Sequence, residues 1–473
     1  MAITSHITGT LTSGIALANG GSFANPVTID AGASITGFFP IDATDSWAIE
    51  NYGALTAAGN GTGVEFHAGG SFTNEVGGSV YGAAGGIVSY GTNATTIDNF
   101  GTITSDNRTV LFFSPGTLIN EAGGFISGPI EGVVFRNNAG AVTNDGTIVG
   151  SGTTYGFGLY LKAGGSVTNL GAGVITGVNE GIDVGGAAGT IMNSGTIIGT
   201  RADGIAMSAG GSVTNAVGGF IGGGIDGIII QGGAGSVDNA GTISNPTGGA
   251  GVELDTGGTV TNSGSIAGDR GVYLRDGGSL TNTATGVISG GPFGVRVQTA
   301  AGTIDNQGMI SGNYGIRLEA GGTVTNAGTI SSATRSGIYL AAGGTIDNEA
   351  GASVSGFYFG IEARYVAATV TNAGSISSAG RSGIYLYAGG TVTNEAGASL
   401  YGIYWGVEAR NVAATVTNAG TIAGTGTTFG FGLALYAGGS VTNLGAGVIT
   451  GVNEGIDVGG AAGTIMNSGT IIG

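Results

Sequence analysis

One phrase recurs along the whole chain. A short run of alternating Val or Ile with Thr closes on Asn, as in Thr323-Val324-Thr325-Asn326, and a second short apolar run such as Thr329-Ile330-Ser331 follows. The Asn falls at Asn51, Asn74, Asn99, Asn120, Asn144, Asn169, Asn193, Asn215, Asn239, Asn262, Asn282, Asn306, Asn326, Asn348, Asn372, Asn394, Asn418, Asn443 and Asn467. Asp30 fills the same place one step earlier. The spacing is roughly 20–25 residues, in the range of solenoid repeats. A unit that short cannot bury its own apolar side, so the units must stack on one another.

The stretch from Gly321 to Leu340 gives the anatomy of one unit. Thr323–Asn326, Thr329–Ser331 and Gly337–Leu340 read as three strands separated by Gly and small polar residues. Alternation places Val324, Ile330, Ile338 and Leu340 inward and Thr323, Thr325 and Tyr339 outward. Three strands in roughly 22 residues make one coil of a right-handed parallel β-helix. The expected fold is therefore all-β: a β-solenoid of about twenty coils with coils about 4.8 Å apart. Asn in a fixed place would stack on Asn of the next coil and form an internal amide ladder. Asn also tolerates the left-handed conformation, which a tight corner at that point would demand, and the Gly after it would serve the same corner.

Residues 1–25 are expected to be an N-terminal coil or cap, and residues 26–473 one continuous solenoid, open at its C-terminal end. Two duplications fit this picture, because an added coil touches only its neighbours. The segment from Gly152 recurs from Gly426 with changes only at Tyr155, Tyr160 and Lys162, which become Phe429, Ala434 and Tyr436. A two-coil segment from Ser336 recurs from Ser382.

Composition narrows the function classes. With 105 Gly and 41% hydrophobic residues but no Gly-X-Y period, the chain is neither disordered nor collagen-like. Only 9% of residues are charged, and the net charge of −17 argues against nucleic acid, which needs clustered Lys and Arg. There is no Cys, hence no disulfide or thiolate metal site. The two His, His6 and His67, are too few for a His-based triad or a His-rich metal site. No cofactor and no metal are expected. No apolar run is long enough for a membrane helix, so this segment is not expected to insert into a membrane.

Variation is concentrated in the outward positions of the third strand and just beyond it. Read coil by coil, these include Tyr160, Glu253, Asp255, Tyr273, Arg275, Arg296, Arg317, Tyr339, Glu362, Arg364, Tyr385, Tyr387, Glu408 and Arg410. Arg136 and Lys162 belong to the same column, and Tyr155, Phe157, Tyr314, Phe357, Tyr358, Phe359, Tyr404 and Trp405 precede it in the loops. Exposed Tyr, Trp and Arg supply binding hot spots, so this column is the candidate recognition face. The competing reading is that neighbouring Glu and Arg simply neutralise each other across strands.

Catalysis needs carboxylates clustered in a walled groove. The nearest set is Glu253, Asp255, Arg275, Asp276 and Arg296, and the loops around it are short. A non-catalytic protein is expected. Outward Thr columns such as Thr323/Thr325 and Thr391/Thr393 suggest an ice-binding array, but Asp98, Asp238, Asp305 and Asp347 interrupt them.

The tandem phrase VTNAGTIS followed by GIYL, with Gly-rich corners from about Pro26 to Gly473, resembles passenger regions of bacterial autotransporters and related large surface adhesins. That resemblance implies a right-handed β-helix displayed outside a Gram-negative cell, working in adhesion, aggregation or biofilm, with glycans or proteins of host or bacterial surfaces as partners. The membrane barrel and signal usual in that family are not seen here, which suggests a fragment. The alternative is an extracellular filament subunit stacking head to tail, with Ile3–Leu17 continuing the coil that ends at Thr470–Ile472.

Overall fold

The computed structural model describes residues 5–473, and every regular element among them is a β-strand. No helix among these residues is long and apolar enough to cross a membrane. The chain divides into two compact units: Met1–Val237 with Gly241–Asn245, and Asp238–Ala240 with Pro246–Gly473.

Each unit is a parallel β-solenoid, and its coils have the three strands that the alternation predicts. In unit 2, Gly322–Asn326, Thr329–Ser332 and Ser336–Leu340 form one coil. The next coil stacks on it in register, with Val324 opposite Ile346, Ile330 opposite Val354 and Ile338 opposite Ile361. Unit 1 repeats the pattern, with Phe72 opposite Ile97, Val80 opposite Ile103 and Ile87 opposite Val110. Like therefore stacks on like, and the inward columns of Val, Ile, Leu and Phe are removed from water almost completely. In two coils of unit 2 the second and third strands run together, as Ser265–Leu274 and Val287–Val297, with a register shift between Gly268 and Arg270.

The described part of residues 1–25 has the same form. Ser5–Ile7, Thr10–Leu11 and Ile15–Leu17 pair in parallel with Val27–Ile29, Ser34–Gly37 and Ile41–Ala43. Ile3, invoked above for head-to-tail stacking, lies outside the described residues.

The Asn ladder is present in both units. In unit 1 each Nδ2 from Asn51 to Asn193 donates to Oδ1 of the next Asn, ending on Asn215, at 2.7–2.8 Å. In unit 2 the ladder runs from Asn239 to Asn467 at 2.8–2.9 Å. The second amide hydrogen is used as well: Asn326 Nδ2 lies 3.2 Å from the carbonyls of both Gly328 and Ser353. A buried amide thereby keeps its partners, without which its burial would cost free energy.

The conformational reason expected for Asn is not the one found. Among the described residues no non-Gly residue has positive φ. The ladder Asn stay extended at the strand end and point inward. Left-handed backbone occurs instead where the first strand begins, as at Gly321 (φ 82°) and Gly322 (φ 141°). Gly328, two residues after Asn326, is required by proximity, since a Cβ there would lie 2.2 Å from the Gly308 carbonyl oxygen.

A third Gly column shapes the outer surface. At Gly337, the second residue of the third strand, the chain lies close against the core. A Cβ there would meet the Gly360 oxygen at 2.7 Å and Val354 Cγ1 at 2.9 Å. The outside of this bend is a furrow. Glu362 sits between the inward residues Ile361 and Ala363, so it points away from the core, yet it is only 4% exposed.

Candidate recognition face

The furrow is built by two positions of the third strand. The residue that opens the strand in one coil faces the outward residue three places along in the next coil. Ser382 Oγ donates to Glu408 Oε2 at 2.7 Å in this way, Ser336 Oγ donates to Glu362, and the Phe359 ring lies 4.9 Å from that of Tyr385.

All eight basic residues of unit 2 gather on this furrow: Arg270, Arg275, Arg296, Arg317, Arg335, Arg364, Arg381 and Arg410. They interleave with aromatic rings. Arg270, Arg275 and Arg296 surround Tyr273 at 4.8, 5.4 and 5.2 Å. Arg317 lies among Phe293, Tyr314 and Tyr339 at 5.5, 5.5 and 5.1 Å. Arg381 is held by Phe359, Tyr385 and Trp405 at 5.3–5.5 Å. The rings are attracted to the cations and also fix the planes of the guanidinium groups.

Carboxylates are threaded into the strip. Glu253 and Asp255 both take Arg275, at 2.6 and 2.8 Å. The Glu253 bond holds Arg275 above its ordinary pKa. Glu319 takes Arg296 and Arg317 at 3.1 and 2.9 Å. Glu362 takes Arg364 at 2.6 Å, and Glu408 takes Arg410 at 2.6 Å and Arg381 at 3.3 Å. Arg335 differs from these. It is exposed, donates to the Tyr314 hydroxyl at 3.3 Å, and meets no carboxylate among the described residues.

Arg335 and Tyr314 stand between two shallow clefts. One, of about 310 Å³, is lined by Pro292, Phe293, Asn313, Tyr314, Arg317 and Arg335. The other, of about 120 Å³, adds Ser336, Tyr358, Phe359, Glu362 and Arg364. Such a site can offer guanidinium edges to an anion and ring faces to an apolar or sugar surface.

The residues expected to form the face therefore separate into two sets. Glu253, Tyr273, Tyr339, Glu362, Tyr385 and Glu408 point outward but are buried, none more than 9% exposed. Burial pushes the phenols of Tyr339 and Tyr385 above their ordinary pKa, so they stay neutral. They support the strip from beneath, and they are covered because the furrow is concave and neighbouring Arg side chains lie over it. Asp255, Arg296 and Arg317 are partly open, while Arg275, Arg364, Tyr387 and Arg410 reach the surface. Around them Phe357, Tyr358 and Tyr404 are exposed. Tyr160 belongs to unit 1, where it stacks on Phe157 at 5.5 Å.

Arg270, Arg335 and Arg381 were not anticipated. The signal for Arg335 and Arg381 was the phrase Arg-Ser-Gly-Ile-Tyr-Leu, which occurs twice with Arg immediately before the third strand, and Arg270 stands in the related Arg-Gly-Val-Tyr-Leu. In unit 1 the furrow is acidic at Asp183, whose carboxyl is raised to about 6 by burial and then by the neighbouring Glu180. No protein-family model matches this chain, and no curated protein matches it.

Proposed function

We propose that this chain is a non-catalytic β-solenoid of a bacterial outer surface, and that the Arg/aromatic strip of unit 2 recognises surface glycans bearing carboxylate or sulfate groups. The observation that carries this reading is Arg335: an exposed guanidinium without a carboxylate partner, backed by Tyr314, between two clefts. An arginine that neutralised a neighbour would have a carboxylate beside it, as the other seven do. Fork-like guanidinium donors match two oxygens of one carboxylate or sulfate group, and Tyr314, Tyr358 and Tyr387 add ring faces for a sugar. Glu253 and Asp255, the carboxylates nearest to a catalytic pair, are both bound to Arg275, which favours recognition over hydrolysis.

The test is binding of the full chain to immobilised acidic and neutral polysaccharides. Binding to acidic chains that weakens with salt and falls at least tenfold in R335A supports the reading. Equal binding to neutral chains, or an unaffected R335A, overturns it. Release of reducing ends or unsaturated sugars from the same polysaccharides would overturn the non-catalytic assignment.

A further inference from the structure

Before Arg108 the sequence holds eight carboxylates and no Lys or Arg. Two of these carboxylates are stacked. Ile41–Ala43 and Thr62–Phe66 are the third strands of consecutive coils in unit 1, and they pair in parallel with Asp42 directly opposite Glu65. Like charges in that relation repel. The next residue of the column on either side is uncharged: Ala16 opposite Asp42, and Val88 opposite Glu65. Nothing basic in the column offsets the pair.

His67 completes the cluster. It lies two residues beyond Glu65, with Nε2 at 2.9 Å from Asp42 Oδ1 and 3.5 Å from Glu65 Oε2. One donor atom from each of the three residues lies within 4.8 Å of the others. Asp42 Oδ1 is shut off from water and makes no hydrogen bond, although His67 Nε2 lies close to it. The Glu65 side chain is only 10% exposed. The imidazole is held in place by stacking: its ring lies 5.6 Å from that of Tyr90, which stacks on Phe113 at 5.3 Å.

This is the arrangement of a metal-ligand set. Ligands about 2.0–2.2 Å from one ion stand roughly 3–3.5 Å from each other, close to the two separations found. Two carboxylate oxygens and one imidazole nitrogen suit first-row divalent ions such as Zn²⁺. We propose that Asp42, Glu65 and His67 form a binding site for one such ion, which clips two consecutive coils of unit 1 together. The ion would offset the stacked carboxylates and take Asp42 Oδ1 as a ligand. His67 is partly exposed, at 42% of its side chain, which leaves a coordination position for water. Counting histidines in the sequence pointed away from a metal site; the register of two coils brings a mixed set together.

The experiment is calorimetric titration of Zn²⁺ into metal-stripped full-length protein without a polyhistidine tag, at neutral pH. One ion per chain is expected, with affinity reduced at least tenfold in H67Q and in E65Q. H6Q, at the only other histidine, should bind as wild type, although His6 lies 2.8 Å from Asp30. Circular dichroism of the metal-free variants checks that they fold. Co²⁺ provides a second readout, since its visible bands should appear with the wild type and not with H67Q. Absence of stoichiometric binding overturns the proposal, as does Zn²⁺ binding that survives H67Q and E65Q or is lost in H6Q. Displacement of Zn²⁺ by a thousandfold excess of Mg²⁺ would overturn the transition-metal assignment.

Discussion

Glu408 lies beneath Arg410 with its carboxylate 2.6 Å from the Arg410 Nε, and it is completely withdrawn from water. It also accepts from Ser382 Oγ and Arg381, so one acid organises three side chains. Removing one partner of a buried pair strands the other, at a cost of about 3 kcal/mol or more. E408A is expected to lose about that much and E408Q less, because the amide oxygen still accepts from Ser382. Glu319 is 20% exposed in its pairs, so E319A should cost only about 1 kcal/mol or less. Denaturant melts, with hydrogen exchange on Trp405–Ala409, give the ranking; equal effects of E408A and E319A would contradict it.

The ladder makes a sharper claim about Asn326. Its Nδ2 faces Asn348 Oδ1 and two backbone carbonyls. An N326D carboxylate would set an anion against three acceptors, whereas N326A only leaves gaps. Losses of about 2 kcal/mol for Ala and about 3 kcal/mol or more for Asp at neutral pH are expected. Hydrogen exchange should show opening confined to the coils on either side.

Two glycines separate shape from conformation. Gly337 lacks room for a Cβ, while Gly351 has φ 84° and open space around it. G351A should cost about 1 kcal/mol from backbone conformation alone. G337A must move two strands apart and should lower the melting temperature several times as much. A milder G337A would mean that the inner bend is not close-packed.

Asp183 makes stability depend on pH. Its folded value, about 6 against an ordinary 3.8, means the fold holds the proton more tightly than the unfolded chain. The stabilisation from holding that proton is fully present below about pH 4 and lost as pH rises through 6. D183N, always neutral, should therefore be more stable than the wild type above pH 6, by about 3 kcal/mol at most. The difference should shrink toward zero near pH 4. Melting curves at pH 4 and pH 7.5 check this, and a constant difference would exclude Asp183 as its source.

The coil period, the inward columns and the Asn ladder were legible because a solenoid repeats its packing problem at a fixed interval. Val324, Ile330 and Ile338 each stack on an equivalent residue one coil away, so alternation within a coil suffices to assign them. The left-handed corner was misplaced, since Asn326 was credited with a conformation that Gly321 and Gly322 adopt. The candidate face was legible only as a column. Tyr339, Glu362 and Arg364 all read as outward, and nothing in their spacing separates the two buried residues from the partly exposed one.

The sequence by itself determined the repeating β-fold, which residues face the core and the amide stack, because these depend on neighbours at a constant offset. Only the tertiary structure decided which outward residues meet water and which meet each other. The bend at the Gly337 column turns the outside of the third strand into a furrow, burying Glu362 and Glu408 under arginines and leaving Arg335 without a carboxylate. Stacking likewise brings Asp42 to Glu65 and His67 across a coil. These relations depend on the angle between strands and on how far long side chains reach, and a repeat pattern encodes neither.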